Sequence, residues 1–163
     1  MFCVVFSLAV RILKKCKKMD FQLKGMTVLI TGASGGIGQA LAVSFANAGC
    51  NLVLHANSNL SELEKFVSSH DWKESALCCQ ADVRDSAAVE QMFDSGVAKF
   101  GRIDVCIANA GIWPPDAHLL GDMPEALIRE VIDVNLMGSI WTARSFMKNL
   151  SRCGPRSDHR GPS

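Results

Sequence analysis

The sequence predicts an α/β fold: a doubly wound parallel sheet with helices on both faces. Two observations carry that expectation. From position 26 onward, short apolar runs alternate with stretches whose apolar residues recur every three or four positions. Such alternation marks βαβ units with right-handed crossovers. The first apolar run also ends in a knot of glycines that opens a helical pattern, VLITGASGGIGQAL at 28–41.

Each element has its own signal. MTVLIT (26–31) is rich in β-branched residues and reads as a buried strand. Ile37, Leu41, Phe45 and Ala48 then recur at helical spacing, with Gly49 as the stop. NLVLHA (51–56) is a second strand, and Ser61 with Glu64 predicts a capping box for a helix whose apolar face is Leu63, Phe66 and Val67. SALCCQA is a third strand, ending at Asp82. Asp85 caps a helix with the stripe Val89, Met92, Phe93, Val97 and Phe100, and Gly101 stops it. IDVCIANAG (103–111) is a fourth strand. After a loop holding Trp113, Pro114 and Pro115, Asp122 and Glu125 with Pro124 in the first turn announce a long helix over 124–150. Residues 151–163 read as a polar tail, and 1–18 as an apolar and basic extension.

Composition excludes several function classes. Arg11, Lys14, Lys15, Lys17 and Lys18 are five of the 17 basic residues, which leaves 12 against 16 acidic residues in the rest of the chain. A mildly acidic body does not suit a nucleic-acid surface, which depends on neutralising phosphates. The seven cysteines form no CxxC pair and no zinc-ligand spacing, so no metal site is expected. Unpaired thiols in apolar runs fit a reducing compartment, and the expected location is cytoplasmic. His55, His70, His118 and His159 are scattered and read as surface or loop histidines. The opening MFCVVFSLAV is too short to span a bilayer and is followed, not preceded, by its basic residues. Membrane contact by 1–18 is one reading. The favoured one is that MDFQLKGMTVLITG, from Met19, is the natural opening of the domain.

The glycine knot carries the chemistry. Gly32, Gly36 and Gly38 lie at a strand-to-helix junction, where a tight turn, close approach of a pyrophosphate and close helix packing all demand glycine. The helix N-terminus offers free N–H groups and a positive dipole end to the phosphates. The strand before and helix after are the context that makes the motif informative. With Thr31 leading, the spacing is TGxxxGxG, and the chain closely resembles the short-chain dehydrogenase/reductase family, nearest to the 3-oxoacyl-carrier-protein reductase type. The resemblance covers about 23–150 and includes Asp82 after the third strand, the NAG of Asn109, Ala110 and Gly111 at the end of the fourth, and VNL with Asn135 in the long helix.

That resemblance implies a Rossmann-type sheet with strand order 3-2-1-4 and hydride transfer between a nicotinamide cofactor and a small carbonyl or alcohol substrate. It implies that Gly32, Gly36, Ile37 and Gly38 hold the pyrophosphate, that Thr31, Ser34 and Asn57 belong to the cofactor site and that Asp82 and Val83 contact adenine. Asn109, Ala110 and Gly111 line the nicotinamide side, Trp113 borders the substrate mouth, and Asn135 matches the asparagine of the catalytic tetrad. A carboxylate at the end of the second strand would select NAD. The sequence has His55, Ala56, Asn57 and Ser58 there, so NADP is favoured over NAD.

The family also uses a tyrosine, a lysine four residues on and a serine. This chain contains no tyrosine. A general acid or base commonly contributes a factor of about 10² to 10⁴. The expectation is therefore a family member truncated after four strands, 19–150 forming the N-terminal part of an NAD(P)-binding domain, inactive alone. The alternative is a non-catalytic nucleotide-binding or interaction module, pairing with itself or a full-length relative through the helix 124–150.

Overall fold

The computed structural model describes residues 22–113 and 119–154. The extension 1–18, Pro114, Pro115, His118 and the tail from 155 lie outside the described residues. Four strands form one parallel sheet: β1 (Thr27–Ile30), β2 (Asn51–Ala56), β3 (Ala76–Gln80) and β4 (Val105–Ile107). Their order is β3-β2-β1-β4, as the family resemblance implies. Register follows hydrophobic matching, with Leu29 opposite Val53 and Cys106, and Leu54 opposite Cys78.

Alternation along the strands divides the core in two. Val28, Ile30, Leu52 and Leu54 face α1 (Gly36–Asn47) and α2 (Leu60–Ser68), where Ala42, Leu63 and Val67 meet them. Leu29 and Val53 face the opposite layer, α3 (Ser86–Phe100) and α5 (Gly138–Cys153), with Val89, Met92, Phe93 and Trp141. Both faces of β1 and β2 are thus covered, as a parallel sheet requires.

The α3 cap forms as expected: the Asp85 carboxylate accepts from the Ala87 and Ala88 amides at 2.8 and 3.3 Å, and Gly101 ends the helix at φ 83°. Asp85→Ala should lower stability by about 1 kcal/mol, read as a lower urea midpoint at unchanged slope.

Other expectations need correction. The Ser61–Glu64 capping box does not form: α2 begins two residues earlier, with Asn59 at its N-cap, Leu60 as its first residue and no side-chain cap. Ile37 does not belong to the buried face of α1 but is 60% exposed, because Gly38 and Ala42 take that face. The fourth strand is shorter than 103–111, since Thr31 draws the amides of Asn109 and Ala110 off the strand line. Asp122 does not cap the long helix but lies in a short 3-10 turn, Leu120–Asp122, and Pro124 occupies the N-cap.

That long helix is divided. It consists of α4 (Glu125–Ile132), a π-helical turn (Asp133–Met137) and α5. It runs to Cys153 rather than 150, so the first residues of the expected tail are helical. Lys148 and Arg152 pair with Glu90 and Asp94 across to α3, holding that last turn, and Gly154 stops it at φ 66°.

Candidate functional site

A cleft of about 500 Å³ opens at the carboxyl ends of the strands, above the junction of β1 and β4. This is where the strand order reverses direction, the usual ligand position in open α/β sheets. Gly32, Ser34, Gly36, Ile37 and Gly38 line it from the glycine loop, Asn57 from β2, Asp82 and Val83 from β3, and Asn109, Ala110 and Gly111 from β4. The structure therefore brings together all the candidate cofactor residues except Thr31.

The three motif glycines differ in their physical reasons. Gly32 has φ +65°, and a Cβ there would come within 2.8 Å of Ala110 Cα. A Cβ on Gly38 would run into the Gly32 carbonyl and within 2.6 Å of Ala33 Cα. A Cβ on Gly36 would meet nothing within 4 Å and would stand in the open cleft. The first two shape the loop, and the third leaves room. Gly35, at the N-cap, has no side chain to satisfy the helix start. The amides of Gly36, Ile37 and Gly38 consequently have no acceptor among the described residues. Three free amides at a positive dipole end, beside an open concavity, fit a pyrophosphate.

The loop is gripped from both sides. Thr31 is 1% exposed, and its hydroxyl accepts from the Asn109 and Ala110 amides, both at 2.9 Å. The Asn109 side-chain amide donates to the Thr31 and Gly32 carbonyls at 3.0 and 3.2 Å. Thr31 is thus a fastener between β1 and β4, not part of the lining.

His55 corrects the surface-histidine reading. It is 1% exposed. Its Nδ1 accepts from the Gly32 amide at 3.1 Å, and its Nε2 faces the Ala81 carbonyl at 2.9 Å. Burial pushes its pKa below the ordinary histidine value, against the Asp82 charge that pulls it up. Its one sequence signal was position: a polar residue inside the otherwise apolar run NLVLHA.

Arg84 is the second residue the sequence did not single out. Its guanidinium grips the Asp82 carboxylate at 2.6 Å and approaches Glu130 of α4 at 4.0 Å. Hydrogen bonding from Arg84 holds the Asp82 carboxyl below the usual carboxylate range. The Asp82 carboxylate is therefore ionised and oriented, and Asp82, Arg84 and Glu130 all line the cleft.

Asn135 lies in the π-helical turn, across from Gly111. Its Oδ1 accepts from the Ile112 amide at 2.8 Å and its Nδ2 donates to the Ile112 carbonyl at 2.9 Å. Both ends of its side chain therefore hold the backbone leaving β4, and it does not line the cleft. Beside it, Trp113 is 81% exposed. Among the described residues, no group of acids, histidines and cysteines could hold a metal ion, and no helix is long and apolar enough to cross a membrane.

Comparison with known proteins places this geometry. The family model described as short chain dehydrogenase matches residues 26–159. The chain is 39% identical over 141 residues to a sorbose reductase of Schizosaccharomyces pombe, covering 84% of this chain and 54% of that enzyme. Among solved structures, it is similar to a short-chain dehydrogenase/reductase, glucose/ribitol dehydrogenase, of Brucella melitensis, with TM-score 0.74 and 30% identity over 80% of this chain and 55% of that one. It is also similar to a 3-ketoacyl-(acyl-carrier-protein) reductase of Brucella melitensis complexed with NADH, with TM-score 0.73 and 26% identity over 80% of this chain and 52% of that one. The chain spans about half the length of the curated relatives it matches.

Proposed function

The chain belongs to the short-chain dehydrogenase family, and from that premise we propose that its cleft is the nicotinamide dinucleotide half of an oxidoreductase site. The observation that carries the reading is the glycine cradle, with three free helix amides beside the open position at Gly36. In this reading the amides of Gly36, Ile37 and Gly38 bind the pyrophosphate. The Asp82 carboxylate, held by Arg84, accepts from the adenine amino group, with Val83 against the ring. Asn57 lies by the adenine ribose, and Asn109, Ala110 and Gly111 border the nicotinamide.

The dinucleotide supplies the hydride exchanged with a carbonyl or alcohol carbon in the whole protein. What this chain contributes is orientation. Its free amides and the strapped 109–111 segment set the ring's position, and Asn135 holds the backbone of Ile112 that borders the substrate mouth with Trp113. It brings no tyrosine to move a proton, so we assign it binding without turnover. The NADP preference rests on Asn57, Ser58 and Asn59 lining the cleft with no carboxylate among them. Free thiols at Cys50, Cys78, Cys79, Cys106 and Cys153 support a reducing, cytoplasmic setting.

A second reading, a non-catalytic module that pairs through the long helix, has one favouring observation. Ile132, Leu136 and Ile140 recur at i, i+4 on its exposed side. Titrating the purified chain with NADPH and NADH by fluorescence separates the two, alongside an assay of carbonyl-dependent NADPH oxidation. The expected outcome is saturable binding, tighter for NADPH, with no turnover above a Gly36→Val control. Binding of neither cofactor would leave only the second reading. Turnover above the control would sink the assignment of binding alone.

A further inference from the structure

His55 is the residue through which the two ends of the cleft are joined. Its backbone carbonyl accepts from the Ala33 amide at 2.7 Å, and its Nδ1 accepts from the Gly32 amide at 3.1 Å. One residue therefore holds the first two amides of the glycine loop. The opposite ring nitrogen, Nε2, lies 2.9 Å from the carbonyl of Ala81, the residue before Asp82. Because an amide can only donate and a carbonyl only accept, these partners demand a neutral ring with its proton on Nε2. A protonated ring would point a second N–H at the Gly32 N–H and lose that bond.

We propose that His55 is a positioning residue of the dinucleotide site, its neutral Nε2–H ring holding the pyrophosphate loop and the adenine-side loop in register. This rests on the dinucleotide reading of the cleft. It makes affinity depend on the protonation of a side chain that is 1% exposed at the lining of the cleft.

The surroundings favour the neutral ring. Burial lowers its pKa from the ordinary value, outweighing the hydrogen bond to the Ala81 carbonyl and the charge of Asp82, which act in the opposite direction, Asp82 being itself paired with Arg84. Cys79, in register with His55 on β3, has its thiol pushed up to about 11 and is neutral. Strand β1 and the glycine loop, 27–34, carry no titratable side chain. The helices on this side of the sheet present Val89, Met92, Phe93, Trp141 and Phe146. With a folded pKa below the unfolded one, the neutral ring is retained at neutral pH, and protonation sets in only at a pH below the ordinary histidine range.

The test is the pH profile of dinucleotide affinity for the purified chain, with His55→Asn beside wild type. Asn Oδ1 can take the place of Nδ1 as acceptor for Gly32 and does not titrate. NADH is the main probe, because its pyrophosphate keeps its charge across the range, and NADPH is the second. Wild-type affinity should fall about tenfold between about pH 7.5 and pH 5, the scale of one lost hydrogen bond. The His55→Asn profile should be flat over the same range. Parallel profiles for the two proteins would overturn the proposal while leaving the dinucleotide reading intact. A rise in wild-type affinity on acidification would also overturn it, since His55 would then act as a nearby positive charge. Failure of wild type to bind either cofactor at pH 7.5 would overturn the underlying reading and this proposal with it. Should His55→Asn not fold, nitrogen NMR of the wild-type ring decides instead. Nδ1 bare and Nε2 protonated at pH 7 is expected, and the reverse tautomer or a doubly protonated ring contradicts the proposal.

Discussion

Gly38→Ala should abolish dinucleotide binding and destabilise the fold, whereas Gly36→Val should abolish binding alone. The two residues are two positions apart in the motif, and both belong to the first turn of α1. At Gly38, an added Cβ collides with the Gly32 carbonyl and with Ala33 Cα at 2.6 Å. Both are backbone atoms of the loop, so neither can swing aside. Relief requires α1 to lift off the end of β1, and overpacking of this kind costs about 1–3 kcal/mol. The same movement tilts the three free amides away from the cleft. At Gly36 nothing lies within 4 Å, so a larger side chain costs the apo fold little, within roughly 0.5 kcal/mol as for other exposed positions. It fills the space that the pyrophosphate would take, and affinity should drop at least tenfold, about 1.4 kcal/mol. Urea denaturation and cofactor titration on both variants check the contrast. Equal stability losses would contradict the assignment of distinct roles.

Thr31→Val should cost about 2–4 kcal/mol despite preserving shape, because it removes the acceptor for two amides at once. Asn109 and Ala110 both donate to the Thr31 hydroxyl at 2.9 Å, in a position from which water is excluded by burial of Thr31. The lost bonds belong to the joint between β1 and β4, so the 109–111 segment should also lose its place beside the glycine loop. Thr31→Ser keeps the hydroxyl and should recover most of the loss. The check is the urea midpoint of the three proteins, and a valine variant as stable as wild type would show that the joint does not depend on this hydroxyl.

These effects show what the linear sequence could and could not display. The strands, both core faces and the Asp85 cap follow from periodicity and capping chemistry, which are local, while the strand order came with the family resemblance. The glycine cradle was legible because its spacing encodes a turn and a helix start together. The capping box at Ser61 and Glu64 matched its pattern, yet the chain entered α2 from Asn59, two residues early, and the pattern went unused. Ile37 satisfied the helical period but falls on the cleft side, since a motif glycine at 38 claims the packed face. His55 and Arg84 were invisible for a different reason. His55 works through partners far along the chain, Gly32 and Ala81, and Arg84, besides gripping its near neighbour Asp82, reaches Glu130 in another element. No periodicity records such contacts. Thr31 sits inside the motif, but its job lies across the sheet, on β4.

The central claim is that the free amides at the start of α1 hold a dinucleotide pyrophosphate. Backbone amide NMR of the purified chain during NADPH titration tests it most directly. The account predicts saturable shifts at Gly36, Ile37 and Gly38, accompanied by Val83 and Ala110 across the cleft. NADPH binding that leaves the amides of 36–38 unmoved would contradict it.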